Sequence, residues 1–96
     1  MTENNIKHFE TLWDESEALV SKIHEKSSHD DLIKLISNLT NDYKEMHSSN
    51  LPDEVKSSLK TRYMGEIIFL LSALSQRDNI NVYAALKEEL FLNSYN

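Results

Sequence analysis

The chain has 96 residues, enough for one domain but with a modest buried fraction, so that a second subunit would help to cover apolar surface. Its net charge of −6 disfavours phosphate-backbone binding as the main task, so no nucleic-acid partner is expected. The absence of cysteine excludes disulfides and thiolate metal sites, and the single glycine and single proline leave little punctuation for a sheet-rich fold.

The first ten residues, MTENNIKHFE, lack the basic-then-apolar order of a signal peptide, and the expected location is cytoplasmic. Residues 1–5 are expected to fray. From about 5 to 26, Ile6, Phe9, Leu12/Trp13, Leu19/Val20 and Ile23 recur at helical spacing, with one turn skipped at Ser16. Glu10, Asp14, Glu17 and Lys22 occupy the other side and read as a solvated face.

Ser27-Ser28-His29-Asp30 is a polar break with N-capping candidates. A second helix follows over 30–48, with a stripe of Leu32, Leu35/Ile36, Leu39, Tyr43 and Met46. Asp30 and Asp31 in its first turn suit the macrodipole. Pro52 fits the first helical position of a third helix, over 53–77. This helix carries Ile67-Ile68-Phe69-Leu70-Leu71, the most apolar run of the chain, followed by Ala73 and Leu74. Those side chains point in almost every direction, so the helix is expected to be covered on most sides. The run is too short to cross a bilayer, and no membrane partner is expected. Asp78-Asn79-Ile80-Asn81 is a turn in which asparagine supplies the left-handed conformation. A fourth helix, 82–92, presents Val82, Leu86 and Leu90 with Phe91 nearby, and residues 93–96 are expected to be loose. The expected fold is all-α: one four-helix bundle-like domain over 1–96 with a long central third helix. Self-association as a dimer is expected through Ile67, Phe69, Leu70, Leu71 and Leu74.

No Gly-rich phosphate loop, HExxH pair or GxSxG context is present. His8, His24, His29 and His47 are scattered and read as surface residues. Carboxylates on helices remain. A pair at i and i+3 lies on one side of a helix, and acidic pairs from two facing helices can hold a hard cation. The candidates are Asp42 with Glu45 on the second helix and Glu66 on the third.

Met64-Gly65-Glu66-Ile67-Ile68-Phe69, the later Asn81–Lys87 stretch and Asp42-Tyr43-Lys44-Glu45 together resemble the MazG-like all-α nucleoside triphosphate pyrophosphohydrolases, over about residues 32–92. Those proteins show an ExxE helix, an ExxD helix reading roughly "EELGDLLF", and a short final helix. The resemblance implies Mg2+-dependent hydrolysis of a nucleoside triphosphate to the monophosphate and pyrophosphate at a dimer interface. It implies Asp42, Glu45 and Glu66 as metal ligands. Arg62 and Tyr63 are the candidate substrate-binding residues, the tyrosine as a ring that can stack on a base or sugar. Tyr63 stands where the second motif has an acid, and Arg62 where a further acid is common.

Glu66 has a second reading, as the partner of Arg62 one turn earlier in a partly buried ion pair. The corresponding alternative function is a non-catalytic acidic helical module that binds a basic protein, as an inhibitor, immunity protein or regulatory adaptor would.

Overall fold

A computed structural model describes residues 3–94. Four helices follow in order: α1 (Glu3–Ile23), α2 (His29–His47), α3 (Asp53–Arg77) and α4 (Val82–Ser94). No strand occurs among the described residues, so the all-α expectation holds. Of the termini expected to be loose, residues 3–5 lie in α1 and 93–94 in α4, and residues 1–2 and 95–96 lie outside the described residues. One boundary expectation is corrected. Pro52 is the N-cap of α3, one place before the first helical position, with extended backbone and no side-chain cap.

Local chemistry explains where each helix stops. Ser28 and Asp31 form a complete capping box: the Asp31 N–H donates to Ser28 Oγ at 3.0 Å, and the Ser28 N–H donates to Asp31 Oδ2 at 3.1 Å. Asn79 ends α3 in the left-handed region at φ 54°. Around it the Ile80 N–H donates to the Ser75 carbonyl at 2.9 Å and the Asn79 N–H to the Gln76 carbonyl at 3.3 Å. This is the Schellman pattern, and asparagine fills the place that glycine usually takes. Asn81 Oδ1 then caps α4 by accepting from the Ala84 N–H.

α3 packs against both α1 and α2. The core is small: Val20, Leu32, Leu70 and Ala73 are buried, and Ile36, Leu39, Phe69 and Leu74 close around them. Ser72 and Ser75 are buried as well. Their short side chains suit close helix approach, and each donates to the carbonyl three residues back, Phe69 and Ser72 respectively. On α1 only a narrow strip turns inward. Trp13 and Val20, seven residues apart, are buried, and Ser16 between them meets Ser72. The turn skipped at Ser16 is thus a polar contact with α3.

The α1–α2 turn is tied to the end of α3. The Arg77 guanidinium donates to the carbonyls of His24 and Ser27, and His29 meets Asp78. These five residues fix the register of α3 against the turn.

α4 contributes no buried residue. Only its first turn, Val82 and Tyr83, is half-buried. The Cα radius of gyration is 15.4 Å, above the roughly 12–13 Å of a compact chain of this length.

Candidate functional site

The expected metal ligands separate. Asp42 and Glu66 line one cleft of about 360 Å³ between α2 and α3, with His24, Asn38 and an apolar wall that includes Leu39 and Phe69. Glu45 is absent from that cleft and accepts from Asn41 Nδ2 at 3.3 Å on its own helix. Asp42, Glu45 and Glu66 are all exposed. Mg2+ requires several oxygen ligands in near-octahedral array. The cleft offers two carboxylates, and among the described residues no group of three or more His, Asp or Glu comes together to hold a metal. The residues present do not fit the cation that the MazG-like resemblance implies.

Glu66 does meet Arg62, whose Nε donates to Glu66 Oε1 at 3.3 Å. The side chains are 76% and 47% exposed, so the expectation of a partly buried pair is corrected to an exposed one. At that exposure a single-contact i,i+4 pair contributes at most about 1 kcal/mol. Tyr63 is half-buried, and neither Arg62 nor Tyr63 lines the Asp42–Glu66 cleft.

The five residues expected to mediate self-association also divide. Leu70 is buried within the chain, and Phe69 and Leu74 pack on the same core. Ile67 is half-buried and Leu71 exposed.

A second cleft lies at the root of α4, between Trp13, Asp14 and Glu17 of α1 and the turn residues Asn79 to Tyr83. The Tyr83 hydroxyl donates to the Glu10 carbonyl at 3.4 Å. Its phenol is pushed above its ordinary value by burial first, then by the carboxylates of Asp14, Glu10 and Glu17. The acidic side of α1, read from sequence as a solvated face, therefore borders α4. Beyond the cleft, α4 carries Leu86, Leu90, Phe91 and Leu92, each more than half exposed. Across α1 the row Phe9, Leu12, Leu19 and Ile23 is about half exposed. The apolar stripe of α4 was legible from its spacing; that Leu86, Leu90 and Leu92 stay more than half exposed is a tertiary fact without a sequence signal.

Among the described residues no helix is long and apolar enough to cross a membrane. No family model, curated protein or solved structure matches the chain significantly.

Proposed function

We propose that the chain is a non-catalytic helical binding module whose α4 and adjoining acidic flank of α1 receive an apolar helix with a basic rim from another protein. The observation that carries this reading is α4 itself. A helix with leucine, phenylalanine and alanine on several sides is ordinarily covered, yet here every residue of α4 after Tyr83 is exposed among the described residues. The area agrees. The accessible surface is 7636 Å², whereas a compact monomer of this mass exposes roughly 5,700 Å². The excess, about 1,900 Å², exceeds the roughly 800 Å² that each partner contributes to a standard interface.

Charge selects the occupant. Glu10, Asp14 and Glu17 border the root of α4, and Glu88 and Glu89 lie on it against one Lys87. A second copy would bring its own −6 charge to this edge; a lysine- or arginine-rimmed helix would neutralise it.

The test uses two synthetic amphipathic helices of equal hydrophobicity, one leucine–lysine and one leucine–glutamate, with Trp13 emission as readout. The basic helix is expected to bind, more weakly in high salt, and to lose binding to Leu86→Asp/Leu90→Asp. Equal binding of both helices, or sedimentation of the free chain as a dimer that protects α4, would overturn the reading in favour of a second copy.

The MazG-like nucleotide pyrophosphohydrolase is a second reading. It is favoured by one observation, that Asp42 and Glu66 line the same cleft. With two carboxylates and Arg62 already on Glu66, no hydrolytic step is derived for it.

A further inference from the structure

A third cleft lies between α2 and the first half of α3. Its volume is about 770 Å³, and it shares no residue with the other two. It is an open groove rather than an enclosed cavity. One stripe of α3 forms a wall with two distinct halves. Lys56 and Lys60, one turn apart, make the first half together with the hydroxyl residues Ser57 and Thr61. Met64, Gly65 and Ile68 make the second.

The opposite wall is Tyr43 and His47 of α2. Both lysines converge on His47. Lys56 Nζ donates to its carbonyl at 3.2 Å, and Lys60 Nζ lies 3.1 Å from its Nδ1 and 5.6 Å from the centroid of the Tyr43 ring. Among the described residues neither ammonium forms an ion pair with a carboxylate. Asp53, at the start of α3, is the acidic residue of the lining. Two cations one turn apart repel each other; the carbonyl end of α2 at His47 offsets part of that cost. Glycine inside a helix costs stability relative to alanine. A Cβ on Gly65 would meet nothing within 4 Å, so the space above Gly65 is open to the cleft.

We infer that this cleft binds a small aromatic phosphate monoester, its phosphate between Lys56 and Lys60 and its ring along Met64, Gly65 and Ile68. A phosphate monoester carries a charge of roughly −1.5 to −2 at neutral pH, matching two ammonium groups. Lysine holds phosphate as a point charge and does not need the planar fork of arginine. Met64 and Ile68 are exposed, so a ring laid on them removes apolar surface from water. Inorganic phosphate would use the cationic half alone, and phenol the apolar half alone.

The probe is phenyl phosphate, titrated into the whole chain and followed by amide NMR. Gly65 is the single glycine of the sequence, so its signal is identified directly. Phenyl phosphate is expected to shift Gly65 and Thr61 saturably at millimolar concentration, with inorganic phosphate and phenol each binding at least about tenfold more weakly. Lys56→Gln and Lys60→Gln should each weaken binding by about tenfold, the loss of one charge-assisted contact. Lys34→Gln, on α2 and outside the cleft, should leave it unchanged. No saturable shift at Gly65, an equal response to inorganic phosphate, or unchanged affinity in both Lys56→Gln and Lys60→Gln would overturn the inference.

Discussion

Ser16 and Ser72 meet across the α1–α3 contact with their hydroxyl oxygens 2.7 Å apart. Ser72 is fully buried and already donates to the Phe69 carbonyl, so Ser16 is the donor between them. The contact sets how closely α1 approaches α3 and leaves no room for a larger side chain. Ser72→Leu should therefore destabilise the fold by about 1–3 kcal/mol through overpacking. Ser72→Ala, which keeps the volume and loses the hydroxyl, should cost about 1 kcal/mol. Denaturant unfolding distinguishes the two. An equal and small loss for both would mean that α1 is not held at this distance.

The Ser28–Asp31 capping box makes a pH prediction. Asp31 is held below its ordinary value of 3.8, first by the hydrogen bond from the Ser28 backbone and then by that from its side chain. A carboxyl whose folded value is depressed adds stability above its unfolded value, and that stability is lost as pH falls through the folded value. Melting temperature should thus drop in this acid window. Asp31→Asn should flatten that part of the profile. Ser28→Ala should cost about 1 kcal/mol at neutral pH by removing the N-cap. An unchanged acid profile in Asp31→Asn would show that other carboxylates govern it.

The same residues show what could be read in advance and what could not. The ends of α2 and α3 were legible because Ser28, Asp31, Pro52 and Asn79 act on their immediate neighbours, whatever the tertiary fold. Core membership was only partly legible. The Ile67–Leu71 run looked buried throughout, whereas Leu70 is buried and Leu71 is exposed. Beyond that run Ser72 and Ser75 are buried although they are polar, because small size suits the close helix contact there. The placing of the carboxylates was partly legible for a similar reason. The i,i+3 spacing puts Asp42 and Glu45 on one side of α2, but they lie about 60° apart around the axis. Only Asp42 reaches the cleft that Glu66 lines.

Gly65 should be replaceable with a gain. It lies inside α3, its Cβ would meet open space, and its φ is not positive. Gly65→Ala should stabilise the chain by about 0.5–1 kcal/mol. A loss of stability would reveal a steric neighbour above this position.

The exposed Arg62–Glu66 pair predicts small effects. Arg62→Ala and Glu66→Gln should each change stability by less than about 1 kcal/mol. Mg2+ should leave the melting temperature of the unaltered chain in place, because a ligand that binds only the folded state raises it by mass action and the ligand set for such binding is incomplete. A Mg2+-dependent rise that Glu66→Gln removes would restore the nucleotide pyrophosphohydrolase reading.

The sharpest contrast is between the core and α4. Leu32 is fully buried and Leu90 is 65% exposed. Leu32→Ala should cost about 2–5 kcal/mol, since it removes buried methyl groups and leaves a cavity. Leu90→Ala should change stability by no more than about 0.5 kcal/mol, as for other surface positions. Hydrogen exchange should follow the same division. Amides of α3 around Leu70 should exchange only on global unfolding, and those of α4 beyond Tyr83 through local opening. Adding the leucine–lysine helix should slow exchange along α4 and leave α3 around Leu70 unchanged. If Leu90→Ala proves as costly as Leu32→Ala in the isolated monomer, α4 is packed within its own chain, and its apolar row is core rather than a surface for a partner.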